Sequence, residues 1–204
     1  NALDSLVDEM AITVMRTAYS GVVKEALDYS TAFCRADGQV IAQGLTIILH
    51  LGSFPVAVQS VLTKFDGRIN PDDVFVLNDP YTSGGIHLPD VYIIKPVFAE
   101  DALQGFVGTV AHQTDIGGLV PGSNSTESTE IYQEGLRIPT SKLFAAGVRS
   151  EAVFDLIATN VRLPIQVRGD MRSQLAACEI GERALLDLIG RYGAAELNRH
   201  YDAL

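Results

Sequence analysis

Basic clusters are missing from this sequence. Its 15 Lys and Arg are outnumbered by 25 Asp and Glu, for a formal net charge of −10, and no run of Lys or Arg makes a local exception. Such a field repels a polyphosphate backbone, so nucleic acid is not expected as a partner. Long apolar runs are missing too: none approaches the ~18 residues of a membrane span, and no basic leader with an apolar core precedes the first amphipathic stretch. Cysteine is scarce. Cys34 and Cys178 lie far apart with no Cys-x-x-Cys, which predicts two buried thiols in a reducing compartment or one disulfide. Together these absences predict a cytoplasmic location and no membrane partner. No Gly-x-x-x-x-Gly-Lys-Ser/Thr, no helix-opening Gly-x-Gly-x-x-Gly and no Gly-x-Ser-x-Gly is found, so a P-loop, a dinucleotide fold and a serine elbow are not expected.

What is present is ordinary for a folded domain: 47 % hydrophobic and 20 % charged residues over 204 positions, enough for a sizeable core. The chain opens at Asn1, already inside an amphipathic pattern, which reads as an excised or processed piece of something longer. Leu3, Leu6, Val7, Met10, Val14 and Met15 follow a helical period, with Gly21 as a stop. Ala36-Asp37-Gly38 between two short extended runs predicts a hairpin, and residues 45–50 read as extended. Residues 56–65 carry helical spacing after Ser53-Phe54-Pro55. Val74-Phe75-Val76-Leu77 is a buried strand, and residues 91–98 and 103–111 are two more. Pro96 marks 91–98 as an edge strand or a strand end. Residues 117–129 form a long Gly/Pro/Ser loop. Residues 150–160 are helical, and the clearest helix follows Gly169-Asp170, striped by Met171, Leu175, Ala176, Ile180, Leu185, Leu188 and Ile189. The expected fold is α+β in a single domain over residues 1–204. A mixed sheet presents metal-binding loops, flanked by an N-terminal helix and C-terminal helices.

The chemistry concentrates between Val76 and Gly122. His87-Leu88-Pro89-Asp90 and His112-Gln113-Thr114-Asp115 each place an aspartate three residues after a histidine, at strand ends beside glycines. Imidazole and carboxylate together suit Zn, Mn or Fe, and a ligating His usually hands its other N–H to a carboxylate or carbonyl. Either pair alone reads equally as a surface hydrogen bond; together they can converge on one ion. Asn78-Asp79-Pro80 makes a turn first and a site second. Glu127, Glu130 and Glu134 read as solvated carboxylates, and His50 and His200 as structural or solvent-facing.

The same residues carry a resemblance. Arg16-Thr17-Ala18-Tyr19-Ser20, Asp28-Tyr29-Ser30, His50-Leu51-Gly52-Ser53, Asn78-Asp79-Pro80-Tyr81, Gly85-Ile86-His87-Leu88-Pro89-Asp90, Asp115-Ile116-Gly117-Gly118, Pro121-Gly122-Ser123 and Glu130-Ile131-Tyr132-Gln133-Glu134-Gly135 occur in this order. The chain resembles the hydantoinase B family, which includes N-methylhydantoinase B subunits, the matching half of 5-oxoprolinase, ATP-dependent lactamases and the large subunits of acetone and acetophenone carboxylases. The resemblance implies an A-type partner subunit that binds and hydrolyses ATP, in a hetero-oligomer, and a divalent metal on this chain. It implies His87, Asp90 and His112 as ligands, with Asp115 as a fourth ligand or just behind them. Asp79 is a weaker candidate for the same pocket. Asp115 or Asp79 would be the catalytic base. The substrate is expected to be a cyclic amide (hydantoin, 5-oxoproline or lactam), with a ketone to be carboxylated as the alternative. A non-catalytic assembly module is the reading outside enzymology. This chain has Gln113 where many relatives place a second histidine, and family chains are considerably longer.

Overall fold

The computed structural model describes residues 2–44, 47, 50 and 52–202. Helix α1 (Ala2–Thr17) and the single turn α2 (Gly21–Lys24) lead into the hairpin β1 (Tyr29–Arg35) and β2 (Val40–Gln43). Helix α3 (Phe54–Lys64), strand β3 (Val74–Leu77) and the long pair β4 (Asp90–Ala99) and β5 (Ala102–His112) follow. A second small hairpin, β6 (Ser141–Ala145) and β7 (Val148–Arg149), precedes α4 (Glu151–Thr159), α5 (Pro164–Tyr192) and α6 (Ala194–Tyr201). The predicted extension over 45–50 lies outside the described residues except for Ile47 and His50, and His50 stands in a short helical turn. Among the described residues no helix is long and apolar enough to cross a membrane.

Among the described residues seven strands form one sheet in the order β2-β1-β5-β4-β3-β6-β7, and every pairing is antiparallel. This corrects the expectation of a mixed sheet. The reason lies in the connections. Asp37-Gly38 and Glu100-Asp101 reverse the chain within a few residues, and Gly38, Glu100 and Asp101 all have left-handed backbones (φ 92°, 51° and 62°). A parallel neighbour would instead need a crossover of roughly a dozen residues.

Both faces of the sheet are covered, which is why its central strands are apolar without alternation. Val74, Val76, Val91, Ile93, Val97 and Val107 pack with α1 and α5. Phe75, Leu77, Tyr92, Ile94, Phe106 and Val110 point the other way, onto Phe54, Val58 and Val61 of α3. Side chains of this size contribute about 1.5–3 kcal/mol each when fully buried. Polar bonds pin the layers: the Tyr29 hydroxyl donates to the Ala11 carbonyl at 2.9 Å, and the Gln174 amide donates to the Val91 carbonyl at 2.8 Å.

Three local expectations are revised. Pro96 lies within β4, a central strand, but β3 pairs only with Tyr92, Ile93 and Ile94, so Pro96 stands past the end of β3. Gly21 opens α2 rather than closing α1, because the Ser20 hydroxyl accepts from the Val23 N–H at 3.3 Å. Helix α5 starts at Pro164 and runs through Gly169, where a Cβ would fall 2.2 Å from the Tyr19 ring. A small residue is what that crossing needs. The buried face of α5 is accordingly polar and small (Ser173, Gln174, Ala177, Cys178, Gly181), not the leucine stripe alone. Cys34 and Cys178 are both free and buried, and burial pushes each thiol up to about 12.

Candidate metal centre at the strand ends

Three strand ends meet at one edge of the sheet. Asp90 opens β4 and is the cross-strand partner of His112, which closes β5. Tyr29, at the start of β1, pairs with Ala111, and the His112 N–H donates to the Asp28 carbonyl at 3.0 Å. His87 hangs from the loop between β3 and β4. That loop is shaped by Asn78, whose amide donates to the Leu88 and Leu136 carbonyls (2.7 and 2.9 Å) while its oxygen accepts from the Ile138 N–H. A Cβ at Gly85 would lie 2.1 Å from the Asn78 carbonyl oxygen, so the close approach requires glycine.

The resulting cluster is a carboxylate among imidazoles. His87 Nε2 lies 3.1 Å from Asp90 Oδ1, and His50 Nε2 lies 3.5 Å from Asp90 Oδ2 and 4.0 Å from Asp28 Oδ1. The His87 and His112 rings are 5.0 Å apart, centroid to centroid. Among the described residues neither Asp90 oxygen has a partner in hydrogen-bond alignment, and His112 Nδ1 is also buried without one. Burial opposes the Asp90 charge, yet the two imidazoles outweigh it and hold the carboxyl at about 2. Burial likewise opposes a charged His87, but Asp90, Asp28 and Glu134 together raise its pKa. His112 goes the other way: burial lowers it, and the like charge of His87 adds to that.

His50 and Ser30 form a buried chain behind Asp90. Ser30 Oγ is 3.0 Å from His50 Nδ1 and also donates to the Ile47 carbonyl at 2.9 Å. The order Ser-His-Asp is that of a hydrolytic triad, but Ser30 is fully buried and has no face toward a substrate. The chain instead orients the His50 ring against Asp90, as supports behind metal ligands do.

His87 is a third exposed at its side chain and lines a cleft of about 530 Å³ together with Tyr81, Ile86, Ile131 and Glu134. A second cleft, about 560 Å³, holds Asp79, Arg137, Tyr132 and Asn160. The Arg137 guanidinium lies over the Tyr81 and Tyr132 rings, at 5.5 and 5.4 Å.

The structure brings His87, Asp90 and His112 together and adds His50 and Asp28. It does not bring Asp115 or Asp79 to them. Asp115, fully buried, accepts from the Gly117 N–H at 3.1 Å, from Arg162 Nη1 at 2.8 Å and from the Arg162 N–H. Asp79 accepts from the Tyr81 N–H, Thr82 Oγ1 and Arg137 Nη2 (3.0, 2.8 and 2.9 Å). Burial raises its pKa, but these three donors reverse the effect and lower it. Sequence reasoning missed His50 and Asp28 as members. Their signal, an acid and an imidazole each beside a predicted strand, is indistinguishable from surface polarity until β1 is seen next to β5.

Two imidazoles and a carboxylate suit a divalent transition metal, and the orphaned Asp90 oxygens and His112 Nδ1 are buried donors without partners. The residues therefore fit in kind, although among the described residues no three His, Cys, Asp or Glu are already gathered around a common point.

The sequence model of the hydantoinase B/oxoprolinase family matches residues 1–204. The chain belongs to that family. It is 40 % identical over 200 residues to an uncharacterized protein of Methanocaldococcus jannaschii, covering 97 % of this chain and 35 % of the relative. It is 40 % identical over 196 residues to the caprolactamase subunit beta of Pseudomonas jessenii, covering 96 % and 34 %. The crystal structure of the ATP-dependent caprolactamase from Pseudomonas jessenii superimposes with a TM-score of 0.93 at 39 % identity, covering 99 % of this chain and 35 % of that one. Nucleotide-free acetone carboxylase shares the fold, with a TM-score of 0.88 at 24 % identity over 98 % of this chain and 26 % of that one. The chain thus spans about a third of the length of the first relatives it matches.

Proposed function

We propose that this chain is the metal-holding B-type part of an ATP-dependent enzyme that opens a cyclic amide, with ATP handled by an A-type partner subunit. The observation that carries the reading is the register pairing of Asp90 with His112, with His87 beside both and the Asp90 oxygens left without aligned partners. The 40 % identity to a protein named as a caprolactamase subunit supports a lactam or related ring as substrate.

In this reading His87, Asp90 and His112 hold a divalent cation, Zn, Mn or Fe, which supplies Lewis acidity toward the amide carbonyl. Asp90 keeps its charge because two imidazoles face it, and His50 fixes its orientation. Tyr81 and Ile86 offer apolar surface to the ring of the substrate. Glu134, which lines the same cleft as His87 and acts on its charge, would take a proton from the attacking water. Asp79 and Asp115 enter the proposal as carboxylates that hold loops rather than as bases.

The test is elemental analysis of the chain purified with its A-type neighbour, followed by turnover of lactams, hydantoins and 5-oxoproline with ATP. Stoichiometric metal that disappears in His87→Ala/His112→Ala, together with ATP-dependent ring opening, is the expected result. Absence of metal from the purified complex, or ketone carboxylation in place of ring opening, overturns the reading.

A further inference from the structure

Beyond the His87–Asp90–His112 cluster, one ion pair between a buried carboxylate and a half-exposed guanidinium anchors residues 115–118. Arg162, in the connection between α4 and α5, is joined to Asp115 across 47 residues of sequence through its backbone N–H and its Nη1. The same guanidinium donates to the Gly117 carbonyl at 3.4 Å and to the Gly118 carbonyl. Both glycines have left-handed backbones (φ 86° and 76°). A Cβ at Gly117 would meet the Asn160 carbonyl oxygen at 2.7 Å, and one at Gly118 the Gln133 carbonyl oxygen at 2.5 Å. These residues begin a strap, 115–123, which is therefore clamped from two sides with no room for a side chain at Gly117 or Gly118.

From there the strap does two things. It is zippered to the segment carrying Glu134: the Leu136 N–H donates to the Ile116 carbonyl and the Leu119 N–H to the Gln133 carbonyl, each at 2.8 Å. It then runs through Pro121 to Gly122, whose missing Cβ would sit 3.8 Å from His112 Cε1. Ser123, left-handed at φ 58°, closes the unit by donating its hydroxyl to the Glu134 carbonyl. Gly122 thus abuts one imidazole of the cluster, and Glu134 shares a cleft with the other.

We propose that Arg162 and Asp115 are a positioning pair, which sets where Gly122 stands against His112 and where Glu134 stands in the cleft beside His87. This deepens the reading of the site as catalytic, and for its effect on turnover it rests on that reading. The pair touches no ligand-bearing side chain of the cluster; it acts through the strap. Arg162→Lys keeps the charge but loses the planar fork that reaches Asp115 and two carbonyls at once, so it is expected to restore the pairing only in part.

The experiment compares wild type, Arg162→Gln, Arg162→Lys and Asp115→Asn in the full-length protein with its partner subunit. Backbone hydrogen exchange over 116–123 and 133–136 is expected to rise roughly tenfold or more in Arg162→Gln, with β4 and β5 unchanged, since local opening follows local support. The His112 Cε1–H NMR signal, assigned with His112→Gln, should shift. In turnover, kcat should fall by up to about 10²-fold from misplacement, with KM changing much less and Arg162→Lys intermediate. Asp115→Asn, whose side chain is isosteric, should repeat the pattern if Arg162→Gln fails to accumulate. An unmoved His112 signal and unchanged exchange in the strap overturn the proposal, as does protection lost uniformly over the whole sheet. Failure to find any turnover would instead overturn the functional reading, because exchange and the His112 signal decide the pairing without it.

Discussion

Asp90 and Asp115 each stand three residues after a histidine, each is buried, and each has a cationic partner, yet the two regions are built oppositely. Around Asp115 every contact is an aligned hydrogen bond to a backbone N–H or to Arg162. Around Asp90 two imidazoles approach at 3.1 and 3.5 Å with neither oxygen in hydrogen-bond alignment. A satisfied buried carboxylate holds structure. An unsatisfied one is costly unless something else meets it, and that difference separates the two aspartates better than the shared spacing does.

The largest expected effect tests that division directly. Asp90→Asn should lower metal affinity by more than about 100-fold, beyond the roughly 10–100-fold that a support behind a ligand is worth. Asp115→Asn should leave metal stoichiometry intact by elemental analysis. Equal metal loss in both variants would break the distinction.

Stability should divide the other way. Asp115→Ala strands two part-buried backbone donors and is expected to cost about 2–4 kcal/mol, since each loses its acceptor. In the metal-free protein Asp90→Asn should cost no more than about 2 kcal/mol, the contribution of its charge against the two imidazoles. Midpoints of urea unfolding measure both.

The pH dependence of the metal-free protein sharpens the point. Asp90 is held at about 2 against an ordinary 3.8. Its contribution is therefore fully present above its unfolded value and is lost as pH falls through the range from about 4 to 2, on the order of 2 kcal/mol. His87 is raised, so its contribution is present below about 6.5 and lost as pH rises through its folded value. His112 is lowered, so its contribution is lost as pH falls through its folded value. Asp90→Asn should flatten the acid limb and remove part of the His87 effect; an unchanged acid limb would contradict the cluster.

The smallest pair of effects concerns two glycines that frame the site. Gly85→Ala meets the Asn78 carbonyl oxygen at 2.1 Å and should cost about 1–3 kcal/mol by forcing the backbone to move. Gly122→Ala faces only His112 Cε1 at 3.8 Å with φ at 72°, and should cost about 1 kcal/mol, from its left-handed conformation. Thermal melts of the two variants should rank in that order.

Local chemistry was readable without the fold. Val74–Leu77 is a strand because four apolar residues between turn signals have no other use, and Asp37-Gly38 turns the chain because glycine tolerates φ 92°. His87 and His112 could be placed at the ends of strands for the same reason. Pairing was not readable. Whether Asp115 turns to His112 or to Arg162, whether His50 backs Asp90, and whether Asp28 joins at all depend on β1 lying beside β5 and on α5 crossing the sheet. These approaches span dozens of residues and are set by burial of both sheet faces, which hydrophobic period cannot encode. The sequence by itself determined the strands, the turns and the two histidine–aspartate pairs. Only the tertiary structure decided that Asp90 draws imidazoles from two separate segments while Asp115 is spent holding a loop to Arg162.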